Sequence, residues 1–149
     1  MHVRISGTYF LPLPQERAYQ LLQDPESLAR ALPGCERLER LAENEYRMKM
    51  KVMLASLAGD FDSKVKIADQ APPSSFRLVV EGSGRPGFVR GDGVLKLSPN
   101  GTSTEVSYDG DVQFGGTIAA VGQRLLDGTA KMLIKKFFEA ISETSAATP

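Results

Sequence analysis

The chain has no tryptophan, one histidine, one cysteine and no excess of charge of either sign. Each scarcity excludes something. With 18 Lys and Arg against 18 Asp and Glu, the formal net charge is zero, which argues against a nucleic-acid binder, because such domains carry a basic excess. A single cysteine, Cys35, forms no internal disulfide, so a disulfide-stapled secreted scaffold is excluded. One histidine and one cysteine cannot supply a His/Cys metal site. No uninterrupted apolar run approaches the roughly 20 residues of a membrane-spanning helix. The first residues, MHVRISGTYFLPLPQ, hold no basic segment followed by an apolar stretch, which predicts no secretory signal.

What is present reads as one ordinary domain. The 149 residues, 42% hydrophobic and 24% charged, match the composition of soluble globular domains. At this size about 68–70% of the unfolded chain's surface can be buried, enough for one core without staples. The periodicity sets the elements. Val3, Ile5 and Tyr9 alternate with polar residues as a first strand, which Pro12 and Pro14 stop. A short helix is predicted over 14–23. Asp24-Pro25-Glu26 supplies an N-cap, a proline at the first helical position and an acid in the first turn. That predicts a second short helix over 25–32, ended by Pro33-Gly34.

The next hundred residues alternate with a period of two. Tyr46, Met48, Met50, Val52 and Leu54 face one way, and Arg47, Lys49 and Lys51 the other. Phe61, Val65 and Ile67, then Phe76, Leu78 and Val80, then Val89, Leu95 and Leu97, then Val106, Tyr108, Val112 and Phe114 continue the apolar face. Glu43-Asn44, Ala58-Gly59, Pro72-Pro73, Gly84 to Gly87 and Asn100-Gly101 read as turns between them. From Ile118 to Ile141 the spacing becomes helical. Thr117 is placed to cap a helix of about 24 residues, roughly 36 Å at 1.5 Å per residue. The predicted fold is α+β and of the helix-grip type (Bet v 1/START-like). A curved antiparallel sheet of about seven strands wraps a long C-terminal helix, with two short helices after strand 1. A wide sheet and one helix cannot meet everywhere, so a cavity is expected between them. The domain is expected over residues 1–141, with 142–149 a flexible tail.

Several motifs are turned away by context. GSGRPG, Gly82 to Gly87, has the glycines of a dinucleotide loop but is followed by a strand rather than a helix, so it reads as a turn. Arg90-Gly91-Asp92 lies within a strand. Asn100-Gly101-Thr102 fits a glycosylation pattern in a chain read as non-secreted. Gly91 and Gly93 share the inward face with Val89 and Leu95, and two readings of them stay open: a bend in the sheet, or room above a ligand. Met48, Met50 and Met132 read either as core fillers or as an adaptable binding lining. Tyr108 points inward and its hydroxyl wants a partner. Asp69 falls on the inward parity of its strand, near the Pro72-Pro73 loop. His2 stands at a frayed end, although strands one and two could bring it beside Cys35. Outward, Arg47, Lys49, Lys64 and Lys66 form a stripe. With Leu54 opposite Gly59, Lys49 faces Lys64 and Arg47 faces Lys66. The stripe reads either as a solvated face or as a surface for an acidic partner or anionic membrane.

Three stretches together resemble the CoxG family, named for carbon monoxide dehydrogenase, within the START-like, or SRPBCC, superfamily. They are ALPGCERLE (Ala31 to Glu39), GDFDSKVKIADQAPPSSFRLVVEGSGRPGFVRGDGVLKL (Gly59 to Leu97) and VQFGGTIAAVGQRLLDGTAKMLIKKFFEAI (Val112 to Ile141). The resemblance implies an accessory protein of a molybdenum hydroxylase of the carbon monoxide dehydrogenase type, acting in assembly, recruitment or electron transfer, and not one of its catalytic components. It implies a bound quinone or lipid and no intrinsic cofactor. Many members continue into a hydrophobic C-terminal segment, whereas this chain stops at Pro149. The expected location is therefore cytoplasmic, with at most peripheral contact at the inner face of the membrane.

The reading that follows is a non-enzymatic module holding a hydrophobic small molecule. Its expected lining is Met48, Met50, Phe61, Gly91, Gly93, Tyr108, Leu125, Thr129 and Leu133, with no catalytic residue and no metal. The alternatives are a START-like cyclase or hydrolase using Tyr108 and an inward carboxylate such as Asp69, and an interaction protein whose cavity is filled by its own side chains. A cavity below about 300 Å³ would favour the last, since ligand pockets are usually larger.

Overall fold

The computed structural model describes residues 2–32, 34–52, 59–85 and 87–147. Strand β1 (His2–Leu11) is followed by helices α1 (Gln15–Leu21) and α2 (Pro25–Ala31). Six strands come next: β2 (Cys35–Ala42), β3 (Glu45–Val52), β4 (Gly59–Ala71), β5 (Ser75–Gly84), β6 (Gly87–Asn100) and β7 (Ser103–Gly115). A 3₁₀ segment, Gly116–Val121, leads into α3 (Gln123–Ala147). The seven strands form one antiparallel sheet in the order β1-β7-β6-β5-β4-β3-β2. Successive strands from β2 to β7 pair because short turns permit only antiparallel neighbours. The α1–α2 segment carries the chain from one edge of the sheet to the other. His2 and Cys35 therefore stand on opposite edge strands, and the sheet does not bring the two side by side.

Local chemistry accounts for the helices. Asp24 caps α2: its carboxylate accepts from the Ser27 amide and hydroxyl, with Pro25 at the start of the helix. α1 is held on the sheet by polar contacts as well as by its apolar face. The Tyr19 hydroxyl donates to the Ser75 carbonyl at 2.9 Å, and Gln15 Nε2 donates to the Leu97 carbonyl at 3.0 Å. The long helix begins later than the apolar spacing suggests. Gly122, at φ 101°, interrupts the helical path, so 116–121 wind as 3₁₀ and Thr117 stands in that segment, not at the start of α3. At the other end α3 continues past Ile141 to Ala147, so the segment expected as a tail from Ser142 is helical that far.

The core is in two parts. One lies under the C-terminal half of α3 and joins Leu11, Leu22, Phe76, Val106, Phe138 and Ile141. The other lies under its N-terminal end and joins Val3, Phe61, Phe114, Ile118 and Leu126. Leu126 and Ile141 are both 0% exposed. The 15 residue steps from one to the other correspond to about 22 Å of helix. α3 is thus pinned to the concave face at both ends.

Two features of the sheet differ from the alternation. Val52, not Leu54, lies opposite Gly59, so the β3–β4 register is shifted by two from the one expected. Leu54 and Ala58, on which that expectation rested, lie outside the described residues, as does Pro33. In β4 an irregularity between Ala68 and Ala71 breaks the period, and Asp69 takes φ 51°. Its exposed carboxylate lies 3.8 Å from Arg77 on the outer face, not inward.

One buried contact ties the α1 connection to β7. Thr104, 0% exposed, donates its hydroxyl to the Leu13 carbonyl at 2.6 Å. Thr104→Val keeps the shape and strands that carbonyl, and chemical denaturation should show a loss of about 1–3 kcal/mol.

Candidate functional site

Between the two core clusters the sheet curves away from α3 and leaves a cavity of about 350 Å³. Its walls are the inner faces of β3 to β7, the side chains Leu28 and Leu32 at α2, and Ala130, Leu133, Ile134, Phe137 and Phe138 of α3. Met48, Met50, Phe61, Gly91, Gly93, Tyr108 and Leu133 all stand on this lining. Leu125 and Thr129 do not. Leu125 is 52% exposed, and the buried Thr129 hydroxyl donates to the Leu125 carbonyl one turn back at 2.9 Å. Both border a shallow groove on another side of α3 with Gly128 and Met132. Adjacent Leu125 and Leu126 are about 100° apart on a helix, so only one can face the sheet. Leu126 takes that place.

The floor is made thin by glycine. Gly82 of β5, Gly91 and Gly93 of β6 and Gly110 of β7 all face the cavity. Gly93 pairs with Gly110, and Gly91 lies between Val80 and Val112. The two open readings of Gly91 and Gly93 divide between the residues. A Cβ on Gly91 meets nothing within 4 Å. A Cβ on Gly93 meets the Asp109 carbonyl at 3.2 Å and Gly110 Cα at 3.3 Å. Gly91 therefore leaves volume empty, whereas Gly93 permits close approach of β6 and β7. Gly82 and Gly110 share the same inward parity and could have been found by extending the alternation argument to the neighbouring strands.

The lining is almost wholly apolar. Asp92, Asp109 and Asp111 border it at outward positions of β6 and β7, and the carboxylates of Asp92 and Asp109 are engaged outside by Arg77 and Arg4. The Arg77 guanidinium holds the Asp92 carboxyl below the usual carboxylate range. Two hydroxyl-bearing residues stand on the walls, Ser63 and Tyr108. Among the described residues neither has a hydrogen-bond partner. Tyr108 lies across Gly7 of β1, where a Cβ would stand 2.5 Å from its hydroxyl, and stacks against Phe138 at 5.6 Å. Phe138 also stacks on Tyr9 at 5.0 Å. Among the described residues no three His, Cys, Asp or Glu side chains gather as a metal set. Cys35 is outside the cavity, and burial pushes its thiol up from the ordinary value.

On the outer face the observed register rearranges the basic stripe. Arg47 faces Lys64, Lys49 faces Asp62, and Lys66 faces Glu45. Lys64 also lies opposite Glu81 on β5. Arg47 donates through two nitrogens to Asp62 and holds that carboxyl below its ordinary range. The expected facing pairs Lys49–Lys64 and Arg47–Lys66 are absent. A single like-charge pair remains on this ladder, Arg47–Lys64, and carboxylates flank it. No described helix is long and apolar enough to cross a membrane.

The model of the carbon monoxide dehydrogenase CoxG family matches residues 7–146. A conserved protein from Geobacillus kaustophilus has a solved structure 35% identical, with a TM-score of 0.94, covering 97% of this chain and 95% of its own. A START superfamily protein from Mycobacterium smegmatis is 15% identical with a TM-score of 0.77, covering 97% of both chains. Ara h 8.0201 is 11% identical with a TM-score of 0.74, covering 99% of this chain and 100% of its own. The last two likenesses speak for the helix-grip, START-like fold alone. No curated protein matches the chain.

The glycine geometry separates two substitutions. Gly91→Leu should leave the melting temperature unchanged or raise it, because its side chain enters empty apolar space. Gly93→Leu forces the paired backbones apart and should lower it by several degrees. On the outer face Lys64 lies between Arg47 and Glu81, and Lys49 between Arg37 and Asp62, so reversing either to Glu exchanges one like-charge pair for another and should change the melting temperature little. Thermal unfolding of the four variants checks both.

Proposed function

The chain belongs to the carbon monoxide dehydrogenase CoxG family, and on that premise we propose that it is a non-enzymatic accessory protein that carries a neutral hydrophobic molecule in the cavity under α3. The observation that supports this most is the lining itself. A space of about 350 Å³ falls within the size range of ligand sites. Its walls offer apolar contact and two hydroxyls, and the nearby carboxylates are turned outward. A charged ligand would lose hydration there without a counter-charge. A quinone or lipid matches, because its apolar body fills the chamber while a carbonyl or ester oxygen accepts from Ser63 or Tyr108.

The same geometry weighs against the enzyme alternative. General acid–base work needs a titrating group within hydrogen-bond reach of the reacting proton. Asp69, the carboxylate named for that alternative, is outside the cavity, bordering Arg77. The size of the cavity also weighs against an interior closed by its own side chains. The partner in this reading is a molybdenum hydroxylase of the carbon monoxide dehydrogenase type. The surface offered to it is the outer face of β3 and β4, with Arg47, Lys49, Lys64 and Lys66.

Native mass spectrometry of freshly purified protein, followed by organic extraction, tests the ligand reading. A mass excess that extracts as an apolar quinone or lipid is the expected result. Gly91→Leu should abolish that excess in a folded protein, and Ser63→Ala with Tyr108→Phe should weaken it. A Gly91→Leu protein that retains the full ligand load would overturn the assignment of the cavity.

A further inference from the structure

The two edges of the sheet are unlike. β1 lies against α3 and offers outward a single charged side chain beyond its first residue, Arg4, which is already paired with Asp109. β2 has only β3 beside it in the sheet and carries Glu36, Arg37, Glu39 and Arg40. All four are exposed, and among the described residues none forms a salt bridge. An exposed edge strand is a template for another strand, and natural edges are commonly guarded by charged side chains, Lys above all, which repel a like-charged neighbour. β2 instead alternates sign, in a pattern that complements itself when reversed.

We propose that two copies of the chain associate through β2, antiparallel about a two-fold axis at Leu38, joining two seven-stranded sheets into one. That register sets Arg37 of each copy opposite Glu39 of the other, and Glu36 opposite Arg40. Leu38 meets its own counterpart and Cys35 meets Leu41. Every charged pair formed is of opposite sign, which favours cross-strand association. The intrachain ladder leaves these charges in want of such a partner. Arg37 faces Lys49 on β3, a like-charge pair. Glu39 faces Arg47, but the Arg47 guanidinium is engaged with Asp62. Arg40 donates to the carbonyls of Ala42 and Glu43 through two nitrogens and keeps further donors free.

The irregularities in β2 fit a closed pair rather than open growth. Register shifts between Cys35 and Arg37 and between Arg40 and Ala42 confine the regular ladder to Arg37–Arg40. Bulges at both ends limit how far a strand can slide or extend. The two-fold contact consumes the edge and leaves only the β1 edges, which lie against α3. A two-fold interface is isologous and closes at two copies.

Sedimentation equilibrium of the full chain over a wide concentration range tests the proposal. The wild-type protein should show a reversible monomer–dimer equilibrium that weakens with added salt. Arg37→Glu should weaken it at least about tenfold by setting like charges across the axis. Its melting temperature should hold or rise, because the new carboxylate faces Lys49. Arg40→Glu should weaken the dimer independently. Glu39→Arg alone should also be monomeric, and mixing it in equal amounts with Arg37→Glu should restore a dimer containing one copy of each. A wild-type protein that is monomeric throughout overturns the proposal. So does a dimer indifferent to Arg37→Glu and Arg40→Glu, or a mixture of two folded variants that stays monomeric.

Discussion

Everything in this molecule depends on how α3 is held. Leu126 at one end and Ile141 at the other are fully buried, each in its own apolar cluster. Each buried side chain of this kind contributes about 1.5–3 kcal/mol. A straight helix fixed at two points on a concave sheet must stand off from it between them. The sheet accentuates the gap by placing glycine at the four floor positions Gly82, Gly91, Gly93 and Gly110. The cavity is thus a consequence of curvature, helix length and missing side chains together. Such space is costly to leave empty. At roughly 24 cal/mol per Å³, the coefficient for closed apolar cavities, 350 Å³ sets an upper bound of about 8 kcal/mol. That is comparable with the whole stability of an ordinary domain, about 5–15 kcal/mol. A molecule that fills the chamber therefore recovers stability as well as finding a site.

The distribution of charge follows the same division. The net charge is zero, yet the two faces of the sheet are unlike. The outer face carries paired ions, with Arg77 on Asp92, Arg47 on Asp62 and Arg4 on Asp109. These pairs are exposed and contribute little to stability individually. They engage Asp62 of β4, Asp92 of β6 and Asp109 of β7 on the face away from the chamber. What lines the chamber is almost wholly apolar, with Ser63 and Tyr108 the hydroxyl-bearing residues among it.

The sequence made the fold legible because its two periods, two and then 3.6, do not overlap. The inward face of every strand from β3 to β7, the Asp24 cap and the long final helix could be read directly. Seven of the nine expected lining residues stand on the cavity wall for the same reason. What could not be read was phase. Alternation says which residues share a face but not which residue they pair with, so setting Leu54 rather than Val52 opposite Gly59 moved Lys49 from Asp62 to Lys64. A single irregularity at Asp69 reversed its direction without altering the composition around it. Gly122 reset the helical phase, and two adjacent leucines left no basis for choosing Leu126 over Leu125. Asp69 and Gly122 are points where the backbone departs from its period, and apolar spacing carries no record of such departures.

The same phase argument separates the cavity from the β2 edge. No residue of β2 lines the chamber, and the inward side chains of β3 stand between the two. Leu38, the axis residue, packs against the C-terminal core cluster rather than against the space under α3. Joining two copies at β2 would therefore leave two chambers, each closed by its own α3 and each at the same depth from the joint. The proposed pairing rests on the edge strand, and the proposed ligand site on the glycine floor. Because the two rest on different residues, substitution of either should leave the other intact. The apolar chamber and the charged edge are separable properties of one continuous sheet.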